Sequence, residues 1–298
     1  MKISYKEFVH PEDEAALRNL KTLLGFDLAT KFVMEFGIEQ FFHGLLMAKN
    51  VRLGPSQLPE IYNILPPVCQ KFGIEEPEFY LEMNPIPNAY TIGDKQRFVV
   101  VTSGLLDHVT NEDELRAVVA HECGHIMCRH VFYMTMAMMI VLFGQALGLA
   151  GKLIAPISVA LNYWMRRSEL SADRAAAVYM GKPDAMIGAL LRLAGGPAKL
   201  TGKINVDEYL RQADAYDELR KNSKWQKLLQ AAAIMDENHP FSSVRVQELR
   251  KWAGTEQFSL LGDALSDPEN LCICSQCGRL AAHDHFYCRH CGGRIRVE

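Results

Sequence analysis

The sequence lacks the features that would place it among nucleic-acid-binding, secreted or repeat proteins. Its 298 residues include 32 lysines and arginines against 35 acidic residues, so the sequence lacks the basic excess that is typical of proteins that bind nucleic acid. The N-terminus has neither an apolar core nor a small-residue cleavage site, which argues against a secretory signal and makes the cytoplasm the expected compartment. Internal repeats and low-complexity tracts are absent as well. The composition, 49% hydrophobic and 22% charged, is that of a globular protein with one large domain and room for a small appendage.

Four of the eight cysteines form two Cys-x-x-Cys pairs near the C-terminus. Cys274 and Cys277 make the first pair, Cys288 and Cys291 make the second, and a glycine follows each pair directly. Such glycines let the turn direct backbone N–H groups at the thiolates, and four sulfurs suit a closed tetrahedral zinc site. The pattern predicts a structural zinc ribbon over residues 270–298, a segment too short to build a core without metal, and it favours a reducing compartment.

Other side chains near these pairs could compete for a place in the ribbon site. They are Cys272, His283, His285 and His290. Four thiolates make them unnecessary, so the four-cysteine site is the prediction. A ribbon of this kind is expected to dock a substrate or partner rather than to do chemistry.

Most of the chain outside the ribbon has the spacing of apolar residues that indicates helices. The predicted helices are two within residues 11–50 with a break at Gly25, one over 111–132, one over 166–181, and several more up to residue 253. Short apolar runs between residues 78 and 101 indicate strands instead, with 97–101 as the strongest candidate. A polar stretch at 266–269 predicts a linker before the ribbon.

A five-residue motif in the helix predicted over 111–132 carries the strongest chemical signal. His121-Glu122-Cys123-Gly124-His125 places two histidines one helical turn apart, so that both imidazoles face one metal, with Glu122 beside them as general base. A purely structural zinc would need four protein ligands, whereas three leave a position open for water. Two ordinary histidines on a helix are the alternative interpretation. Cys123 lies on another face and is expected to pack rather than to bind metal.

A second predicted helix carries an acidic candidate for the same site. Glu169 and Asp173 lie four residues apart, and therefore on one face, among small residues. Downstream of His-Glu-x-x-His, this arrangement resembles the M48 family of zinc metallopeptidases, gluzincins that include the heat-shock and CAAX-prenyl proteases. The resemblance implies that Glu169 is the third zinc ligand and that Asp173 hydrogen-bonds to a ligand histidine. A solvated acidic face is the alternative for both residues.

A strand region before the motif extends the resemblance, which covers roughly residues 75–250. Asn88 and Ala89, with Val99 and Val100 in the strand that follows, resemble the family's segment before the active-site helix. The resemblance implies an edge strand there that receives the substrate backbone, since an extended peptide adds main-chain hydrogen bonds to a free strand edge. A core strand without any ligand would have the same composition.

A late histidine-proline pair is another match. His239, followed by Pro240, is similar to the family's late His-Pro segment. The resemblance implies that His239 stabilises the tetrahedral intermediate. A surface histidine that caps a helix is the alternative.

Together these patterns predict an α+β protein that is predominantly helical. The expected architecture is a zincin-like metalloprotease domain with a small, edge-accessible β-sheet, followed by a zinc ribbon. The predicted divisions are an N-terminal helical segment over 1–60, an M48-like domain over 61–265 and the ribbon over 270–298. Two Zn²⁺ ions are expected, one catalytic and one structural, and proteins or peptides are the expected partners.

An apolar stretch over residues 134–164 leaves the relation to the membrane open. Residues 134–151 contain no charge and only just reach the length of a spanning helix; Lys152 and Pro156 divide the whole stretch, and its second half has only about a dozen residues. A buried or membrane-touching helical hairpin is favoured, which would give a soluble or peripheral cytoplasmic enzyme. Many M48 relatives are integral membrane proteins, so the resemblance keeps two spans, with the catalytic domain facing the cytoplasm, as the alternative.

The expected function is zinc-dependent endopeptidase activity in protein quality control. The motif predicts hydrolysis by metal-activated water, with Glu122 as the proton acceptor. Two alternatives stay open: a catalytically latent, chaperone-like module that binds clients, and a zinc hydrolase of non-peptide amides. The intact set of His121, Glu122, His125 and Glu169 argues against the first, and the motif does not exclude the second.

Overall fold

The structure is a computed structural model. It describes residues 4–35, 38–109, 111–143, 151–222, 242–266, 271–282 and 285–295. The helices are α1 (Pro11–Lys21), α2 (Phe26–Glu35), α3 (Ile38–Lys49), α4 (Pro59–Tyr62), α5 (Leu65–Phe72), α6 (Ser103–His108), α7 (Glu112–Met127), α8 (Val131–Phe143), α9 (Gly151–Met180), α10 (Asp184–Gly195), α11 (Ala198–Thr201), α12 (Val206–Asn222), α13 (Ser242–Ala253) and α14 (Glu256–Ser266). The strands are β1 (Val51–Arg52), β2 (Glu78–Glu82), β3 (Ala89–Gly93), β4 (Arg97–Thr102), β5 (Leu271–Ile273) and β6 (Leu280–Ala282). The predicted class, α+β and predominantly helical, is confirmed.

Four of the strands form one small mixed sheet in the order β1-β2-β4-β3. β2 and β4 are parallel, whereas β1 and β3 run antiparallel to their neighbours. β4 is an inner strand, in which Val99 is the partner of Phe79 on one side and of Thr91 on the other. β1 and β3 are the two outer strands, and β3 lies against α7 and α8.

Successive side chains of β4 enter two different hydrophobic cores. Val99 and Val101 pack with residues of α5, α7, α10, α13 and the C-terminal part of α9, whereas Phe98 and Val100 pack with residues of α1, α2, α3, α8 and the earlier part of α9. Alternate residues of a strand point to opposite faces, so a sheet covered on both faces needs a continuous apolar strand. Because α1 packs along α9, the first 60 residues share a core with the sheet, and the boundary predicted at residue 60 stays a proposal.

α7 and α9 approach each other closely at small residues. A Cβ atom added at Gly124 would lie 2.6 Å from the Cβ of Ala175 and 3.3 Å from the Cα of Ala172. Real Cβ atoms essentially never show a contact as short as the first of these. Glycine at this position therefore lets the two helices approach, which brings the face of α9 that carries Glu169 beside the histidines of α7.

Within residues 11–50 the structure describes α1, α2 and α3, and the break predicted at Gly25 separates α1 from α2. Residues 36 and 37, between α2 and α3, lie outside the described residues. Two other predicted helix boundaries are wrong. The helix predicted over 111–132 ends at Met127, because Arg129 adopts the left-handed conformation with φ 62° and the chain starts a new helix at Val131. The helix predicted over 166–181 is the C-terminal part of the longer helix α9.

Of the apolar stretch over 134–164, the structure describes residues 134–143, which belong to α8, and residues 151–164, which form the first half of α9; the residues between lie outside the described part. The division predicted at Pro156 is wrong, since α9 continues through this residue. Met136, Met139 and Trp164 are buried in the second core. Within the described ranges, no helix combines the length and the apolar character needed to cross a membrane.

Candidate metal centre

α7 carries both motif histidines into the interior of the protein. Oδ1 of Asn111 accepts a hydrogen bond from the backbone N–H of Glu114 at 2.8 Å, and acidic residues occupy the first turn, so the start of the helix is capped. From Ala117 to Ile126 the helix is buried. His121, Glu122 and His125 are each at most 3% exposed. Water and substrate therefore reach them only where the fold leaves an opening.

The two histidines and Glu169 bring their metal-binding atoms together. Nε2 of His121 lies 3.2 Å from Nε2 of His125. Oε2 of Glu169 lies 3.5 Å from the first nitrogen, and Oε1 lies 3.4 Å from the second. All ligand atoms of the group lie within 4.8 Å of one another. Two imidazole nitrogens and a carboxylate are a typical zinc donor set, and three ligands leave a coordination position open.

Asp173 and Arg245 support this group from behind. Oδ1 of Asp173 lies 3.0 Å from Nδ1 of His121, one helical turn along α9 from Glu169. Asp173 also accepts two hydrogen bonds from the Arg245 guanidinium, at 2.8 and 2.7 Å. Nη1 of Arg245 lies 2.8 Å from Oε2 of Glu169. One buried arginine on α13 thus holds both carboxylates of α9 beside His121.

The electrostatics of the centre favour the ionised form of the Asp173 carboxyl. Burial raises the pKa of the Asp173 carboxyl, but the charge and hydrogen bonds of Arg245, together with His121, hold it below its ordinary value. Burial lowers the pKa of His121, but hydrogen bonds and charges from Asp173 and Glu169 outweigh it and raise this pKa to about 9. Burial, assisted by the charge of His121, lowers the pKa of His125 although Glu169 opposes it. A metal cation that binds at Nε2 of His121 would displace the proton from that nitrogen.

Glu122 is held by a threonine of the neighbouring strand. Oγ1 of Thr91 donates a hydrogen bond to Oε2 of Glu122 at 2.7 Å, and Thr91 itself is 1% exposed. Thr91 lies on β3, so the outer strand of the sheet and the motif helix meet at the motif glutamate. This contact fixes the orientation of the carboxylate beside the two histidines.

Four residues of the centre and its surroundings were missed by sequence reasoning in these roles. They are Asp13, Thr91, His130 and Arg245. His130 follows the motif by five residues; its Nδ1 lies 3.0 Å from Nδ1 of His125, and its Nε2 lies 2.9 Å from Oδ2 of Asp13. A polar residue within an apolar strand could have indicated Thr91, and a histidine shortly after the motif could have indicated His130, whereas Asp13 carries no such signal.

The second cysteine-rich group lies in the ribbon. Sγ of Cys274 lies 3.7 Å from Sγ of Cys291, and Sγ of Cys277 lies 3.7 Å from Sγ of Cys288. A tetrahedral ion with Zn–S bonds of about 2.3 Å requires sulfurs about 3.8 Å apart, so the four thiols fit zinc. Cys272 does not belong to this group; its thiol donates to the backbone oxygen of Ala281.

The two ribbon turns have the same backbone design. Gly278 and Gly292 have φ values of 70° and 72°, a conformation that favours glycine, and each donates its N–H to the carbonyl of the first cysteine of its pair at 2.8 Å. Backbone N–H groups of Cys277 and Gln276 lower the pKa of Cys274 to about 7. The predicted role of the glycines, to turn N–H groups toward the sulfurs, agrees with this geometry.

The ribbon is attached to the rest of the protein through Glu7. The N–H of Leu280, on β6, donates to Oε1 of Glu7 at 2.9 Å, and Glu7 is 2% exposed. Burial raises the pKa of the Glu7 carboxyl, while the Leu280 N–H and Arg279 oppose the rise. Gln257 of α14 donates to the backbone oxygen of Glu7 as well. The N-terminal segment is therefore wedged between the ribbon and the helices.

The structure corrects one part of the predicted substrate strand. Val99 and Val100 lie on β4, whose main chain is hydrogen-bonded to strands on both sides, and both residues are fully buried. They have no free edge to offer a peptide. Ala89 begins the outer strand β3, directly after Asn88. His239 lies outside the described residues.

Comparison with known proteins gives an independent view of the whole chain. Residues 55–253 match the profile of Peptidase family M48. The chain is 30% identical over 258 residues, 86% of its own length and 74% of the relative's, to "Plastoglobule-localized metallopeptidase 48, chloroplastic" of Arabidopsis thaliana. It is 26% identical over 230 residues, covering 66% of this chain and 73% of the relative, to "Protease HtpX homolog 2" of Methanosarcina mazei.

Proposed function

Because this chain belongs to peptidase family M48 and is a metalloprotease, we propose that its catalytic metal is a zinc ion held by His121, His125 and Glu169. The observation that carries the proposal is the convergence of both Nε2 atoms and the Glu169 carboxylate within 4.8 Å in a buried site. The donor set fits zinc: neutral imidazoles and a carboxylate, with a fourth position left for the reaction. A second zinc ion, bound by Cys274, Cys277, Cys288 and Cys291, is the structural one.

Glu122 is the proposed general base. Bound zinc supplies Lewis acidity that makes water more acidic and polarises a carbonyl. Thr91 holds one carboxylate oxygen of Glu122, and the other oxygen takes the proton of the attacking water and delivers it to the leaving amine. Asp173 favours the tautomer of His121 in which Nε2 is free for the metal, because its carboxylate lies 3.0 Å from Nδ1 and attracts the ring proton to that nitrogen.

The substrate is proposed to bind as an extended peptide beside β3, at Asn88 and Ala89. This outer strand adjoins the motif helix at Thr91, so a peptide along it would pass close to Glu122. Pairing through the main chain tolerates many side-chain sequences. We propose His239 as the group that offsets charge on the carbonyl oxygen during attack.

The biological role proposed is endopeptidase action on unfolded or damaged proteins. Recognition through the substrate main chain supports it, because such proteins expose extended segments irrespective of sequence. We propose that the enzyme is located in the cytoplasm, either free or peripheral to a membrane. Membrane contact through residues 134–164 is the alternative. The plastoglobule-localized relative makes association with a particle a further candidate. Carbonate washing of a cell fraction, followed by detection of the chain in the pellet or supernatant, tests these locations.

The decisive experiment is digestion of unfolded casein by the zinc-loaded protein. Wild type is compared with Glu122→Gln, with a chelated sample, and with Glu112→Gln, which makes the same change at an exposed position of the same helix. We expect new internal N-termini with wild type and Glu112→Gln, and a loss of at least about 100-fold with Glu122→Gln at unchanged zinc content.

The outcomes separate the alternatives. Cleavage by fully metallated Glu122→Gln would refute the role of that residue. Equal inactivity of wild type and variant, with full zinc content, would favour a latent client-binding module. Hydrolysis of small amides without new N-termini in casein would favour a non-peptide substrate.

A further inference from the structure

We propose that Asp13 and His130 are positioning residues of the metal centre, which hold His125 in the tautomer that binds metal through Nε2. The proposal rests on the proposed function in one respect, namely that His125 is a metal ligand. It extends the centre beyond the motif helix and α9 to the first helix of the protein, α1.

The three residues form a continuous buried chain of contacts. Nδ1 of His125 lies 3.0 Å from Nδ1 of His130, and Nε2 of His130 lies 2.9 Å from Oδ2 of Asp13. His125 is fully buried, and His130 and Asp13 are each 1% exposed. Both ring nitrogens of His130 are thus engaged, one by the ligand histidine and one by a carboxylate.

The arrangement of donors and acceptors in this chain allows one consistent assignment. Metal binding through Nε2 of His125 requires the proton of a neutral ring to be on Nδ1, from which it donates to Nδ1 of His130. His130 must then accept at Nδ1, so its own proton is on Nε2 and donates to the Asp13 carboxylate. The carboxylate therefore sets the tautomer of His130, and His130 sets that of His125.

Asp13 is itself fixed by two residues of α9. Nε1 of Trp164 donates to Oδ1 of Asp13 at 2.8 Å, and Oγ of Ser171 donates to Oδ2 at 2.6 Å. Together with Nε2 of His130, these two residues place three donors on the two oxygens of Asp13. The carboxylate thus stays ionised and acts only as an acceptor, which is the state that the assignment requires.

The backbone after α7 places His130 for this role. Arg129 has φ 62°, which is uncommon for a residue other than glycine, and the turn that it makes folds the chain back. The N–H of His130 then donates to the carbonyl oxygen of His125 at 2.9 Å. The histidine is therefore held by its own backbone to the residue that its side chain orients.

The two ligand histidines are supported differently. His121 meets the Asp173 carboxylate directly, whereas His125 meets a neutral imidazole that a carboxylate orients. The second arrangement supplies the hydrogen-bond acceptor without placing another charge against the ligand. Arg245 offsets part of the negative charge of Glu169 and Asp173, and Asp13 places its own charge one residue further from the metal ligands.

Two substitutions of His130 distinguish positioning from packing. His130→Leu keeps a similar apolar volume and removes the acceptor, whereas His130→Asn is smaller and keeps an amide oxygen near the position of Nδ1. Positioning predicts that His130→Leu weakens zinc binding at the catalytic site about 10- to 100-fold and that His130→Asn recovers most of the loss. A packing role predicts the reverse order.

Asp13→Asn tests the far end of the chain. The amide of asparagine has one acceptor oxygen where the carboxylate has two, while Trp164, Ser171 and His130 all donate to this side chain. At least one of these donors must then face the amide NH₂ group, which is itself a donor. We expect zinc binding about 10-fold weaker than in wild type. The control is Glu14→Gln, which removes the same charge from the next residue of α1, at an exposed position. It should leave zinc affinity unchanged.

Zinc affinity is measured on the full chain by competition with a chelating dye, and the ribbon ion serves as the internal reference. This readout does not depend on proteolysis. Equal affinity in wild type, His130→Leu and Asp13→Asn would overturn the proposal and leave the proposed function intact. A wild type that holds only the ribbon ion would overturn both. Should His130→Leu fail to fold, Asp13→Asn against Glu14→Gln decides the matter.

Discussion

The two metal-binding groups of this protein are built in opposite ways. In the catalytic group, three buried ligands come from two long helices, and each is in contact with further buried side chains such as Asp173, Arg245 and His130. In the ribbon, four sulfurs come from two short turns that follow one another in sequence, and Cys291 is exposed.

This difference indicates what the metal contributes in each place. The packed helices hold the catalytic ligands in position, so the metal adds chemistry to an existing structure. The ribbon strands β5 and β6 have three residues each, and in such a small element the metal supplies the folding free energy. The predictions below would break or sharpen this contrast, from the largest effect to the smallest.

Loss of a ribbon ligand should have the largest effect on local structure. Cys288→Ser is expected to remove one zinc ion per chain and with it on the order of 10 kcal/mol of ribbon stability, so residues 271–295 should lose protection in hydrogen exchange. Cys272→Ser is the matched control, since this thiol lies outside the four-sulfur group. If α7 and α9 lost protection to the same extent, the contrast between the two groups would be wrong.

Loss of the arginine behind the catalytic group should have a large effect on global stability. Arg245→Met leaves two buried carboxylates without their cation, at a cost of about 3–5 kcal/mol in the free energy of unfolding. Denaturant unfolding of the chelated protein measures this cost without the offsetting charge of a metal. Arg250 lies on the same helix as Arg245 and forms an exposed ion pair with Asp207 of α12. Arg250→Met should therefore cost less than about 1 kcal/mol. Equal costs would contradict a preformed centre.

A methyl group at the contact between α7 and α9 should have a moderate effect. Gly124→Ala puts a Cβ 2.6 Å from that of Ala175 and should lower the free energy of unfolding by about 1–3 kcal/mol, because the helices must separate. Gly44→Ala adds the same methyl group to α3, where nothing lies within 4 Å, and should be neutral or stabilising by less than about 1 kcal/mol. A stable Gly124→Ala variant with unchanged zinc affinity would show that the ligands tolerate movement of the helices.

Changes at Glu7 should lower the free energy of unfolding by no more than the change at Gly124, and their effects should depend on pH. Glu7→Leu leaves the Leu280 N–H without its acceptor and should destabilise by about 1–3 kcal/mol, whereas Glu7→Gln keeps an acceptor. Because burial raises the pKa of Glu7, the wild type should lose stability as the pH rises from the ordinary glutamate pKa through the raised one. Glu7→Gln should abolish that dependence. Thermal unfolding at several pH values checks both points, and a pH profile that is the same in the Glu7→Gln variant and in the wild type would contradict the assignment.

The sequence predicted correctly those groups whose members are only a few residues apart along the chain. The motif spacing on α7 and the two cysteine pairs predicted groups that the structure does bring together. Prediction failed for the end of α7, which depends on the backbone conformation of one residue. The helix ends at Met127 because Arg129 adopts the left-handed conformation, and no residue pattern at this position required that conformation. Prediction also failed for Val99 and Val100, since an apolar strand has the same composition at the edge and in the centre of a sheet.

The catalytic group depends on contacts between segments that are far apart along the chain. Asp13 and Ser171 are 158 residues apart in the sequence, and Asp173 and Arg245 are 72 residues apart. Contacts of such long range form late, and during synthesis they must wait until the later segment has left the ribosome. A nascent chain that already displays the His-Glu-x-x-His motif would therefore still lack Arg245 and the order that it imposes.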